Sequence, residues 1–325
     1  MLKTGKLLLI IILVLCMAAC GSAPAAPGDE SPGMVGPEEV PEEAPEETPE
    51  EAPEELPARE NGTESSDQSQ EAEKVRQEEL KKLKDDIESY LSEQEGVFGV
   101  YFINLETGDE FGINDTEEFS AASTSKLPIN LYLYTKIESG EVDPDQVLTY
   151  EEVDFEPGSG TVQFGNYGDE YTVREASRLS ITISDNCAVN MIIRLLGIEN
   201  IRQYMLDIGG TIYYDQRYRS CPKDMAIYAK ELYRLYKANP SVYGELIRDL
   251  EETIFNDRIN ALLPEDIRVA HKIGNNTGIV HDVGIVFAKQ PYVISFMAKD
   301  VISNEKANKA IATVSKIVFD YIQNY

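Results

Sequence analysis

From Pro37 the chain repeats Pro-Glu-Glu-x five times without a break: Pro37 to Val40, Pro41 to Ala44, Pro45 to Thr48, Pro49 to Ala52 and Pro53 to Leu56. Few patterns constrain folding more. A proline at every fourth position removes a backbone donor and clashes with the carbonyl one turn back, so the period of four cannot be a helix. Paired glutamates repel each other, and almost nothing apolar is available to bury. Residues from about Gly21 to Gln70 are therefore expected to be disordered and extended, partly polyproline-like. The segment 21–72 reads as a spacer, with cation capture by the acidic repeat as an alternative. Any folded domain lies in 73–325.

What precedes the spacer reads as an address. Lys3 and Lys6 lead into an apolar run from Leu7 to Cys20, 14 residues long, short of the ~20 that span a bilayer. With Ala18 and Ala19 before the cut, residues 1–20 read as a secretory signal peptide. Met17-Ala18-Ala19-Cys20 followed by Gly21 also resembles a bacterial lipoprotein lipobox, although Met17 stands where Leu is usual. That resemblance implies a diacylglyceryl group on Cys20 and an extracytoplasmic protein anchored to the bacterial cell membrane. Plain secretion, with Cys20 lost, is the alternative.

Charge and composition exclude several classes. There are 58 acidic and 29 basic residues, a net −29, and a nucleic-acid partner needs a clustered basic face. Two histidines and no cysteine–histidine spacing of the zinc type leave no metal site to expect, and no cofactor is implied. Cys187 and Cys221 are too few for a disulfide framework, although one bridge between them is conceivable. A monomer is expected.

Within 73–325 the pattern reads as α+β. Leu80, Leu83, Ile87 and Leu91 form one stripe of a helix over 73–95. Strands are expected at 97–104 and 110–113, helices at 126–138, 172–183, 186–196, 199–207, 222–237 and 241–256, then strands at about 278–288 and 291–299 joined by a tight Lys289-Gln290 hairpin. A last helix covers 304–325, with Ala307, Ala310, Ile311, Val314, Ile317, Val318 and Tyr321 on its apolar side. Strands at both ends should pair into one antiparallel sheet flanked by the terminal helices, with an all-helical subdomain inserted between them. The site would lie in the cleft between the two parts.

Three short motifs carry chemistry. Ser123-Thr124-Ser125-Lys126 puts a hydroxyl and an amine on one helix face, and a serine becomes nucleophilic only when a base takes its proton. Ser184-Asp185-Asn186 sits at a junction of two helices, where Ser184 can relay a proton and the Asn186 amide can bind a carbonyl. Lys272-Ile273-Gly274, then Asn275, puts a cation on a strand edge, where it can meet an anionic substrate or hold the first lysine neutral. Each has a plainer reading alone: Ser123 and the Ser-Asp-Asn run as helix caps, Lys126 as a solvated charge, Lys272 on a surface strand.

Together, in this order, they resemble the class A β-lactamase family and its relatives among penicillin-binding proteins, which carry S-x-x-K, S-D-N and K-T-G. Phe119 to Pro128, Pro157 to Thr161, Ser220 to Ala226 and Lys272 to Val286 extend the resemblance across about 75–325. It implies a β-lactamase/transpeptidase-like fold and a serine hydrolase. Ser123 would be acylated, Lys126 would help deprotonate it, and Ser184 would pass a proton to the leaving nitrogen. Asn186 would hold the substrate's acyl amide, and Lys272, Gly274 and Asn275 would bind the substrate. Backbone N–H groups of Ser123 and Asn275 would form the oxyanion hole, and Asp185 would brace its loop. The substrate would be a β-lactam or a peptidoglycan peptide.

Two departures stand out. The family's efficient members place a glutamate in an omega loop just before the helix that begins here near Ser220. The corresponding segment, Thr211 to Arg219, holds only Asp215, and Glu170 and Glu199 are not in matching positions. Slow deacylation is therefore expected. Ile273 replaces the family's Thr and removes a hydrogen bond worth roughly 1.5–3 kcal/mol. The alternatives are a D-Ala-D-Ala carboxypeptidase or penicillin-binding protein, and a non-catalytic module that binds muropeptides or β-lactams. His271 and His281 read as structural, and Cys187 and Cys221 as buried small hydrophobes. Gly158-Ser159-Gly160 lacks nucleophile-elbow spacing. Tyr213, Tyr214 and Tyr218 read as packing around the short loop, or else as an aromatic wall of the cleft.

Overall fold

A computed structural model describes residues 64–212 and 218–324. The signal segment, Cys20, the proline–glutamate repeat, Tyr213, Tyr214 and Asp215 lie outside the described residues. The chain divides between Arg59 and Glu60, and what is described belongs to the second part.

Helix α1 (Glu64–Ser92) leads into strands β1 (Val97–Asn104) and β2 (Glu110–Ile113). It starts nine residues ahead of the expected boundary at 73. The last proline before the helix is Pro57, and nothing from Glu64 to Ala72 opposes a helix. A two-stranded pair, β3 (Phe119–Ser120) with β6 (Arg219–Ser220), frames the turn that precedes α2 (Lys126–Glu138). A second pair, β4 (Val147–Thr149) with β5 (Glu170–Thr172), leads into α3 (Val173–Thr182). Then come α4 (Asn186–Leu196), α5 (Ile198–Asp207), α6 (Pro222–Ala238) and α7 (Pro240–Glu251). The chain returns through β7 (Val269–Asn276), β8 (Ile279–Val286) and β9 (Tyr292–Lys299) and ends in α8 (Asn304–Asn324).

The main sheet is antiparallel with order β2-β1-β9-β8-β7. Val97 pairs with Lys299 and Asn104 with Tyr292, so the N-terminal strand closes on the C-terminal one. Alternation along the strands separates two cores. Phe98, Val100 and Phe102 of β1 join Ile294 and Phe296 of β9 under α1 and α8, where Leu80, Leu83, Ile87 and Leu91 meet Ile311, Val314 and Val318. Tyr101, Ile103, Val293 and Met297 face the other way, onto the helical block.

Some boundaries moved for local reasons. The connection from β8 to β9 spans Phe287 to Pro291 rather than a tight pair: the Phe287 N–H donates to the Arg268 carbonyl, and Pro291 has no N–H to give. Helix α7 ends at Glu251 because the chain then turns back to α3, where the Ile254 N–H donates to the Thr182 carbonyl. Helix α3 starts on a capping box, with Thr172 Oγ1 accepting from the Glu175 N–H and the Glu175 carboxylate accepting from the Thr172 N–H. β7 became a full strand on the sheet's outer edge. Its sequence, Val-Ala-His-Lys-Ile-Gly-Asn-Asn, hides the usual alternation because six of its eight residues are buried whatever their polarity.

Candidate active site

Ser123 lies in a short 3-10 turn, Ala122–Ser125, that runs straight into α2 at Lys126. The turn is pinned at its entry. The Ala121 N–H donates to the Tyr218 carbonyl at 2.6 Å, and Thr124 Oγ1 donates to the Ala121 carbonyl at 2.5 Å. Among the described residues five non-glycine positions have positive φ, and three of them surround this turn: Ala122 at +46°, Ser184 at +57° and Tyr218 at +50°. Such conformations cost of order 1–3 kcal/mol each and persist only where the surroundings over-determine them.

Lys126 joins the motifs. Its Nζ lies 3.2 Å from Ser123 Oγ, 3.2 Å from Ser184 Oγ, 2.7 Å from the Ser184 carbonyl and 2.6 Å from Asn186 Oδ1. Burial lowers its pKa to about 8, against the opposing pull of Glu156 and Asp185. A neutral amine keeps two N–H donors. Those suffice for the Ser184 carbonyl and Asn186 Oδ1, and the lone pair is left for a hydroxyl. Lys126 thus presents a base within reach of the Ser123 proton.

Lys272 is fully buried rather than displayed on the strand edge. Its Nζ donates to Ser184 Oγ at 3.0 Å and to the Ile273 carbonyl at 3.1 Å. Burial first, and the charge of Lys126 second, hold it well below the ordinary lysine range. The Ser184 hydroxyl therefore stands between two amines, the arrangement a proton relay needs.

The rest of the frame explains how these groups meet. Asp185 is buried and does not enter the cleft. Its Oδ1 caps α4 by accepting from the Ala188 N–H at 3.0 Å, and its Oδ2 accepts from the N–H groups of Thr161 at 2.6 Å and Val162 at 2.9 Å. The 157–162 loop is braced by that one carboxylate. Gly160 sits at φ +99° against it, where a Cβ would overlap the Asp185 side chain. Gly274 lies behind the cleft surface. A Cβ there would come within 3.1 Å of the Ala121 carbonyl oxygen, Thr124 Cγ2 and Thr124 N, so any larger residue would need the nucleophile turn to give by a few tenths of an ångström. Asn275 and Asn276 reach the cleft, while Ile273 is buried.

Ser123 and Lys126 open on a cleft of about 430 Å³ whose walls include Glu156, Asn190, Tyr218 and Asn275. Tyr218 is 45% exposed and lines the cleft wall. The histidines are structural. His281 is buried, with Nε2 at 2.7 Å from the Ser120 carbonyl and Nδ1 accepting from the Ala298 N–H at 3.0 Å. His271 Nδ1 lies 2.9 Å from Asp282 Oδ1. Cys187 and Cys221 are free and buried, not bridged. Burial pushes the Cys221 thiol up to about 12.

Three polar residues at the site escaped the motif reading. Arg258, buried on the connection that leads from α7 to β7, donates to Asn275 Oδ1 at 2.7 Å and to the His281 carbonyl at 2.6 Å. Nothing local marks it. Asn190 lies four residues after Asn186 and so on the same face of α4, a relation that helical spacing could have found. Glu156 directly precedes the Pro157 loop.

A hydroxyl within reach of one buried amine, with a second hydroxyl shared by two, in a cleft between a sheet edge and a helical block, defines an active-site serine hydrolase with the β-lactamase/transpeptidase-like fold. The chain belongs to the Beta-lactamase enzyme family, whose model matches residues 82–322. It is similar to β-lactamase VEB-1 of Pseudomonas aeruginosa, 24% identical over 268 residues that cover 73% of this chain and 89% of that one. It is 25% identical to β-lactamase SME-1 of Serratia marcescens over 265 residues, 75% of this chain and 87% of the relative. Among solved structures PBP-A superimposes with a TM-score of 0.70 at 28% identity, over 75% of this chain and 97% of that chain. A β-lactamase from Sphaerobacter thermophilus shares the fold, with a TM-score of 0.67 at 23% identity over 75% of this chain and 97% of its own.

Proposed function

We propose that Ser123 is the nucleophile of a hydrolase that forms an acyl-enzyme on a β-lactam or a cell-wall peptide amide at the outer face of a bacterial membrane. One observation carries the reading: Lys126 Nζ reaches both Ser123 Oγ and Ser184 Oγ at 3.2 Å, and Lys272 Nζ reaches Ser184 Oγ at 3.0 Å. That links the attacking hydroxyl through Lys126 to Ser184, the hydroxyl that would serve the leaving nitrogen. The neutral Lys126 amine takes the Ser123 proton as Oγ attacks the carbonyl carbon. Backbone N–H groups of Ser123 and Asn275 receive the developing oxyanion. The Ser184 hydroxyl protonates the nitrogen as the C–N bond breaks, and Lys126 returns the proton to Ser184. Asn186 orients the acyl amide. A mutant of PBP-A, 28% identical to this chain with a TM-score of 0.71, is known as an acyl-enzyme complex with penicillin G, which favours a β-lactam as an acylating agent here.

Deacylation is the slower half. Thr211 to Arg219 contains no glutamate to activate water. The same short segment favours a second reading, a D-alanyl-D-alanine carboxypeptidase or other penicillin-binding protein that β-lactams trap. The lipobox-like Met17 to Gly21 supports residues 1–20 as a signal peptide and Cys20 as the lipid attachment point, with a monomeric catalytic domain held off the membrane by the acidic spacer. Fluorescent penicillin and a chromogenic cephalosporin separate the readings. Labelling with slow colour development supports the hydrolase, stable labelling without colour supports the peptidase, and neither signal leaves a non-catalytic binding module. Rapid cephalosporin turnover contradicts slow deacylation.

A further inference from the structure

Glu156 is exposed to solvent yet held from two sides by the same helix. Asn190 Nδ2 donates to its Oε2 at 3.1 Å. Its backbone N–H lies 3.5 Å from Cys187 Sγ, and that thiol in turn lies 3.6 Å from its carbonyl oxygen. Ordering an exposed glutamate side chain costs entropy, so these contacts must offset it. The grip also aims it. Asn186 and Asn190 are separated by one turn of α4, about 5.4 Å of rise. Asn186 Oδ1 accepts from the Lys126 amine at 2.6 Å, while Asn190 holds Glu156. Ser123, Lys126, Asn186, Asn190 and Glu156 all line the one cleft, and Glu156 is the strongest opposing charge acting on Lys126.

We infer that Glu156 is the general base of deacylation, supplied from the 157–162 side of the cleft in place of a glutamate missing from 211–219. The inference rests on the acyl-enzyme reading above. The step needs one water from the cleft that both Glu156 and Ser123 line. Glu156 takes a proton from that water as its oxygen bonds to the acyl carbon. The tetrahedral adduct then collapses with cleavage of the Ser123 Oγ–C bond, and the proton returns through Lys126 to Oγ. The products are a carboxylic acid and free serine, with no other reactant needed. Asn190 holds the carboxylate at the cleft wall, and Cys187 fixes the backbone that carries it.

The test is carried out on the full-length protein with fluorescent penicillin, following label gain and label decay separately in wild type, Glu156→Gln and Glu156→Asp. General-base assistance is worth about 10²–10⁴ in rate. Glu156→Gln should therefore slow label decay at least tenfold without slowing label gain, because loss of its charge can only favour the neutral Lys126 amine, with Glu156→Asp in between. Decay at the wild-type rate in Glu156→Gln overturns the inference. So does an equal loss in both half-reactions, which would make Glu156 a general support of the site. A wild type that never gains label sinks the acyl-enzyme reading itself, a failure readily told from the other two.

Discussion

Two lysines share one serine hydroxyl at the heart of this site, and their burial has a kinetic consequence. With Lys126 lowered to about 8 by desolvation, its neutral, basic form grows as pH rises toward and past that value. The rate of labelling by penicillin should increase with pH and level off above about 8. Replacing Lys126 with Arg, which stays charged throughout this range, should remove the rise and depress the rate by two orders of magnitude or more. A pH profile of the acylation rate checks both. Asp185 offers a stability test at the same scale. Its carboxylate satisfies three backbone N–H groups, of Thr161, Val162 and Ala188. Asp185→Ala leaves buried donors without partners, so a loss of roughly 2–5 kcal/mol is expected in denaturant unfolding.

At the level of elements, the outer strand β7 is fitted against the nucleophile turn, with Gly274 as the point of closest approach. Gly274→Ala should push that turn away. Acylation should fall at least tenfold, with a loss of about 1–3 kcal/mol in a thermal melt from overpacking. Neighbouring β8 ties the same region to the sheet through His281, which bridges the Ser120 carbonyl and the Ala298 N–H. Burial lowers its pKa from 6.5 to about 4. The unfolded chain therefore binds the proton first on acidification. The contribution to stability is complete above about 6.5 and is lost as pH falls toward 4, up to about 3 kcal/mol. Unfolding free energies between pH 7 and pH 4.5 should show this decline, and His281→Gln should flatten it.

Across the whole molecule, the sequence disclosed the parts that rest on periodicity and order. The Leu80, Leu83, Ile87 and Leu91 stripe and the pairing of the first strand with the last are both present. The Ser123, Ser184 and Lys272 motifs converge as their order implied. Tertiary burial was not legible: Lys272 reads as a surface cation but is sealed inside. Nor were partners whose chemistry depends on contacts far along the chain, such as Arg258 on Asn275 and Glu156 under Asn190. The helical start at Glu64 was obscured by a polar composition shared with the spacer before it. Beyond the folded part, a Cys20→Ser variant expressed in a bacterial host should leave the membrane pellet for the soluble fraction without changing the acylation rate; retention in the pellet would rule out the lipid anchor. The central claim, that distant side chains meet to activate one hydroxyl, is tested most directly by intact-protein mass spectrometry after incubation with penicillin G. The account predicts a single adduct of the antibiotic's mass on the wild type and none on Ser123→Ala. An unmodified wild type, or an adduct that survives the loss of Ser123, would contradict it.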